Sequence, residues 1–98
     1  MEINRRLQLL GLSEKQASVY VALHENGQST AGQLSAITRI DRRSVYDALE
    51  SLSSLALVSV VIEDGVKKFS LNPPESLSSI LTEKQLTLNE LIPLLKKA

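Results

Sequence analysis

Residues 41–52 read Asp41-Arg42-Arg43-Ser44-Val45-Tyr46-Asp47-Ala48-Leu49-Glu50-Ser51-Leu52, and the fold turns on them. Val45, Ala48, Leu49 and Leu52 recur at i, i+3, i+4 and i+7, the apolar stripe of a helix with one buried face. Asp41 offers its carboxylate to the N–H groups of the first turn and so marks the start. The spacing predicts a helix over about 42–54. Just upstream, Thr30-Ala31-Gly32-Gln33 has the form of a capping box, and Ala31, Leu34 and Ile37 follow at helical spacing. That helix has room for about two turns before Thr38-Arg39-Ile40-Asp41 breaks the pattern. Two short helices joined by a tight turn, the second with one apolar face, are the helix-turn-helix pattern.

Reading outward toward the N-terminus, Ser13-Glu14-Lys15-Gln16 is a second capping box. It opens a helix carrying Ala17, Tyr20, Val21 and Leu23, and Gly27 is placed to end it in the left-handed conformation. Before it, Ile3, Leu7 and Leu10 lie at helical spacing and Gly11 interrupts them. Toward the C-terminus the period changes. Asp64-Gly65 separates two strand-like runs over 58–71, a two-residue hairpin turn that pairs Glu63 with Val66 and Ile62 with Lys67. That register puts Val58, Val60 and Ile62 on one face with Phe69 and Leu71, and Lys67 at its tip. Val61 and Val66 are apolar on the other, polar face.

Asn72-Pro73-Pro74 breaks the chain, and Glu75 is expected to open the last helix. There Leu77, Leu81, Leu88, Leu91 and Leu95 fall on steps of three and four, with Lys84 at the one seam position that is not apolar. Pro93 is expected to kink or end this helix. The stripe could pack on its own chain, but it is longer than so small a body readily covers, which favours pairing between subunits. The expected class is therefore mainly α with a small β-hairpin: a winged helix-turn-helix over 1–74, and a C-terminal dimerisation helix over 75–98.

The chain has 98 residues, 43% of them apolar, enough for one small core. It holds no cysteine and one histidine, His24, which excludes disulfides, thiolate metal sites and any site needing two histidines. His24 sits among apolar residues with no partner for catalysis and is expected to be structural. Asp64-Gly65 is turn chemistry without the oxygen spacing of a calcium loop. No glycine loop suited to phosphates is present. Nothing supports an enzyme, a metal, a cofactor or a small-molecule effector site. Neither a signal segment nor a spanning segment is evident, so a cytoplasmic location and no membrane partner are expected. Eleven basic and eleven acidic side chains give zero net charge, so binding to nucleic acid has to come from a local cluster.

Leu10-Gly11-Leu12-Ser13-Glu14-Lys15-Gln16-Ala17-Ser18-Val19-Tyr20, together with Arg42 to Leu52 and then Leu57-Val58, resembles the TrmB-like transcriptional regulators. The resemblance runs from about Leu7 to Pro74 and implies a winged helix that binds DNA as a dimer, in a family found largely in archaea. Larger members carry a C-terminal sugar-binding domain, and no effector site carries over. Arg39 and Ala56 stand where the family often has glycine, which at Ala56 suggests a different helix ending, and Asp41 stands where proline is common.

With the apolar face of the 42–54 helix inward, Arg43, Asp47 and Glu50 point out, flanked by Tyr46 and Ser51, with Arg42 and Ser44 in the first turn. The N-terminal part of such a helix meets base edges in the major groove. Arg43 is the first choice for reading guanine, and Arg42 for base or phosphate. Ser44 and Tyr46 can donate to phosphate, and Arg39 should face the DNA backbone. Asp47 either accepts from cytosine or pairs with Arg43 four residues back. Lys67 and Lys68 belong to the hairpin as wing, on phosphate or as edge protection. Arg5 and Arg6 could touch the DNA backbone but read better as a solvated helix face. The residues thus point to a dimeric, sequence-specific regulator of double-stranded DNA. The alternative is a winged-helix module that docks protein partners, motivated by the zero net charge and the acids on the third helix.

Overall fold

Helix formation follows the caps. In the computed structural model, which describes residues 2–97, α1 spans Glu2–Leu9, α2 Glu14–Asn26, α3 Ala31–Thr38 and α4 Arg42–Ser54. Ser13 and Thr30 each close a full capping box, with Gln16 and Gln33 reaching back to the cap N–H groups. Asp41 caps α4 through the Ser44 N–H. These caps fix where α2, α3 and α4 begin, and their buried faces then meet: Val19, Leu23, Leu34, Val45, Leu49, Leu52 and Leu57 form the centre of one core. The strands β1, Val58–Glu63, and β2, Val66–Leu71, pair antiparallel with Glu63 opposite Val66 and Ile62 opposite Lys67. Asp64 and Gly65, both with positive φ, make the turn between them. A bridge from Ser29 to Phe69 ties β2 to the segment between α2 and α3. This is a winged helix-turn-helix.

The helix ends are less ordinary. Ala56 has φ 61°; its N–H donates to the Ser53 carbonyl while the Leu57 N–H reaches back to Leu52. That is a Schellman termination, with the buried Leu52 and Leu57 as its apolar contact. Gly11 ends α1 in the same way, between Gln8 and the buried pair Leu7 and Leu12. Arg39, φ 62° and ψ 23°, ends α3 in the left-handed region. Arg39 and Ala56 thus both carry a backbone conformation that suits glycine.

Several expectations need correction. Gly27 has positive φ but ψ −158°, because the chain leaves α2 extended to reach the Ser29–Phe69 bridge. Glu75 does not open the last helix: a 3-10 turn occupies Pro74–Leu77, and α5 runs Ser78–Lys96. Pro93 does not end α5, since only its own N–H is lost and the Lys97 N–H still reaches the Pro93 carbonyl. The apolar face of the hairpin is covered only at its base. Val58 and Phe69 are buried, but Val60 is 50% and Ile62 65% exposed, because the hairpin tip projects past the helices. Ile3 and Ile37 are also exposed, and so is His24, in the last turn of α2 rather than in the core.

Candidate nucleic-acid interface

The N-terminal turn of α4 is where side chains from three elements meet. The Asp41 carboxylate accepts twice from Ser44, from the hydroxyl at 2.7 Å and from the N–H at 3.0 Å. Those bonds, the hydroxyl first, hold the Asp41 carboxyl below the usual carboxylate range. From the first turn of α2, Lys15 Nζ donates to the same Ser44 hydroxyl at 3.2 Å. Sequence alone does not single out Lys15. It lies 29 residues from Ser44 along the chain, and only the packing of α2 against α4 brings the two together. Ser44 is correspondingly less free than its position suggested, because its proton is committed to Asp41.

Arg42 and Arg43 are both exposed at the start of α4. They differ in setting. The Arg42 guanidinium lies over the first turn of α3, about where a side chain at Gly32 would begin, so it faces the turn of the motif. Arg39 is exposed in that turn. Arg43, Tyr46, Asp47 and Glu50 form the outer face of α4. No Arg43–Asp47 ion pair exists among the described residues; the ion pairs there are Arg6–Glu2 and Lys68–Glu63. Asp47 instead shares a shallow notch with Lys15, Gln16 and Ser51, between α2 and α4. The face therefore presents Lys15, Arg39, Arg42 and Arg43 with no acid bonded to any of them among the described residues.

The two wing lysines also differ. Lys68 is held by Glu63 at 3.0 Å, while Lys67 is exposed opposite Ile62. The leucines assigned to pairing divide as well. Leu77 sits in the 3-10 turn and packs, half-buried, against its own core. Ile80, not in the predicted stripe, is the one buried residue of α5. Lys84 donates to the Leu10 carbonyl at 3.0 Å, which accounts for a lysine in an apolar stripe: it satisfies the end of α1. Beyond it Leu81, Leu88, Leu91, Ile92 and Leu95 are exposed. Leu86 and Leu94 are exposed too, off that face. Among the described residues no group of three or more His, Cys, Asp or Glu side chains is gathered to hold a metal, and no helix is long and apolar enough to cross a membrane.

Comparison with known proteins agrees with the fold. A family model described as sugar-specific transcriptional regulator TrmB matches residues 7–75. By sequence, no curated protein matches. Among solved structures, the chain resembles TrmBL2, described as an archaeal chromatin protein with a novel mode of DNA binding. The TM-score is 0.82 at 23% identity, over 98% of this chain and 37% of that one. A MarR-family regulator from Silicibacter pomeroyi gives a TM-score of 0.66 at 18% identity, over 97% and 78% of the two chains. The YusO protein from Bacillus subtilis gives 0.65 at 14% identity, over 99% and 83%. At such identities these likenesses carry the fold alone, and the chain spans little more than a third of the TrmBL2 chain.

Proposed function

Because the chain belongs to the TrmB family, whose members are transcriptional regulators and not enzymes, we infer that it acts as a dimeric, sequence-specific DNA-binding regulator in the cytoplasm, at the nucleoid. The observation that carries this reading is the cluster of Lys15, Arg39, Arg42 and Arg43 around the N-terminal turn of α4, none of them in an ion pair among the described residues, in a chain of zero net charge. In this reading α4 enters the major groove. Arg43, free of Asp47, spans two acceptors of a guanine, worth about 1–3 kcal/mol of discrimination. Arg42, Arg39 and Lys15 face phosphates and set the register. Tyr46 and Asp47 lie further along the same face, and the wing adds Lys67, with Lys68 released only by giving up Glu63.

We divide the chain into a DNA-binding unit over 1–74 and a pairing element over 75–98. A 19-residue α5 is roughly 28 Å long, and its exposed Leu81, Leu88, Leu91, Ile92 and Leu95 make a stripe that one small body leaves uncovered. A second copy covers it by symmetry and sets two recognition helices about one helical turn of DNA apart. The test is a gel shift of the purified protein on its own upstream DNA at two salt concentrations, beside an Arg42→Ala/Arg43→Ala variant. Discrete shifts lost in the variant support the reading. With about 6–10 phosphates neutralised, affinity should fall roughly 10³–10⁵-fold from 50 to 200 mM salt. No shift from a folded dimer would refute it and assign the scaffold to protein docking instead.

A further inference from the structure

The wing has an edge that nothing in the chain covers. Phe69 gives both its N–H and its carbonyl to Ser29, at 2.7 and 2.9 Å, so both point away from β1. Phe69 is opposite Val60, which makes that a non-hydrogen-bonded pair and turns the Val60 N–H and carbonyl away from β2 as well. By the alternation of the ladder, Ile62 does the same. Val60 and Ile62 thus present a row of unpaired backbone groups, and no strand meets that side among the described residues. Of the usual devices that blunt such an edge, β1 has only the charge of Glu63 at its end: it reads Val-Ser-Val-Val-Ile-Glu, without lysine, proline or bulge. Its three central residues are all exposed, Val61 at 44%.

We propose that the free edge of β1 pairs, antiparallel, with β1 of a second copy that belongs to a neighbouring dimer. The edge is self-complementary in one register. Centred on Val61, it sets Val60 against the partner's Ile62 and Ile62 against the partner's Val60, both as hydrogen-bonded pairs. Val61 meets its own counterpart. A register centred on Val60 would carry the pairing to Val58, which is buried at the wing base. Charge does not oppose the contact, since the one charge on β1, Glu63, is already neutralised by Lys68 and falls opposite Ser59. Val60 and Ile62 are joined on one face by their counterparts, and Val61 is covered on the other. The contact takes about three residues from each side, far under the roughly 800 Å² per partner of a stable interface. It therefore does not hold two dimers together in dilute solution and operates where DNA already sets them side by side. In that clause the inference rests on the DNA-binding reading; the edge itself does not.

Two variants test it. The chain has no cysteine, so Val61→Cys introduces one thiol, and the non-hydrogen-bonded pair at the symmetry centre brings the two Cα atoms to about 4.5 Å, within disulfide reach. Ser59→Cys is the control, since in the same register its counterpart lies four residues further along the partner, about 13 Å away. Under mild oxidation with a long duplex, Val61→Cys should give at least about tenfold more covalent dimer than Ser59→Cys. Equal cross-linking by the two would overturn the proposal. Ile62→Pro removes an outward N–H while leaving the β1–β2 ladder whole. It should lower the Hill coefficient on a duplex long enough for several dimers from about 2 toward 1, and leave binding to a duplex of one footprint unchanged within about twofold. Undiminished cooperativity in Ile62→Pro, or none in the parent protein, would also overturn it. Should the protein bind no DNA at all, the functional reading fails, and cross-linking of the free protein at millimolar concentration decides the edge pairing alone.

Discussion

Replacing Ala56 by glycine should stabilise this protein, although it deletes a methyl group. Ala56 terminates α4 with φ 61°, a conformation that costs an L-residue about 1–2 kcal/mol. Its side chain is exposed, so removing it forfeits no packing. Against that gain stands the extra freedom glycine brings to the unfolded chain, about 0.5–1 kcal/mol. The balance favours Ala56→Gly by about 0.5–1 kcal/mol, which for a domain of this size raises the melting temperature by about 2–8 °C. The capping bonds from Ala56 and Leu57, and the 2.7 Å bond from Asn72 to the Ala56 carbonyl, involve backbone atoms that glycine keeps. Thermal melts at one fixed protein concentration are the assay, since subunit pairing would make the midpoint depend on concentration. Ala36→Gly is the internal control. Ala36 is exposed within α3, where glycine should cost about 0.5–1 kcal/mol. The same substitution is thus expected to carry opposite signs at two exposed alanines. A lower melting temperature for Ala56→Gly, with Ala36→Gly behaving as stated, would refute the strain argument.

Titration and salt dependence give three further tests. The hydrogen bonds from Ser44 lower the Asp41 carboxyl pKa, so its contribution is present above the unfolded value, about 3.9, and is lost as pH falls through the folded one. Melts on acidification should therefore drop more for the parent than for Asp41→Asn, which keeps a cap without a charge; parallel acid limbs would contradict this. Burial raises the Tyr20 phenol, so stability is full below about pH 10 and declines as pH rises through the folded value. Tyr20→Phe should flatten that alkaline decline, and an unchanged decline would count against the assignment. Lys15→Ala should weaken DNA binding about equally on all sequences and reduce the slope of log affinity against log salt by about 1.8 per dimer; an unchanged slope would remove Lys15 from the interface.

What the sequence revealed and what it withheld divide along physical lines. Local chemistry was legible. The caps at Ser13, Thr30 and Asp41, the turn at Asp64-Gly65 and the register it imposes each depend on residues within a few positions of one another. At Ala56 the missing glycine suggested a different helix ending, yet alanine keeps the left-handed conformation there. Whether a face is covered was not legible. A period of two places Val60 and Ile62 on the side of Phe69, but it carries no information on how far the hairpin reaches past the helices. Leu77, assigned to pairing, packs on its own core with Ile80, which the stripe omitted, for a similar reason: the 3-10 turn over Pro74–Leu77 shifts the phase of α5. Pairings distant in sequence, Lys15 with Ser44 and Lys84 with Leu10, leave no local trace.

The neutrality of the chain, which motivated the docking alternative, loses force once its charges are located. Glu2 is paired with Arg6 and Glu63 with Lys68, while the two bonds from Ser44 hold Asp41 in its charged form. Asp41 lies at the N-cap of α4, and Asp47 and Glu50 follow one turn and two turns into the helix. The cations Arg39, Arg42 and Arg43 crowd its N-terminal end, and Lys15 arrives there from another helix. Screening confines surface fields to about 8–10 Å at physiological salt, so a phosphate approaching that end meets the four cations with the Asp41 and Asp47 carboxylates beside them, and Glu50, two turns along, contributes less. Net charge is the wrong quantity for a surface this small. The arrangement gathers cations at the N-terminal end of α4 and sets Asp47 and Glu50 further along it, a polarity that fits the proposed entry into the groove N-terminus first.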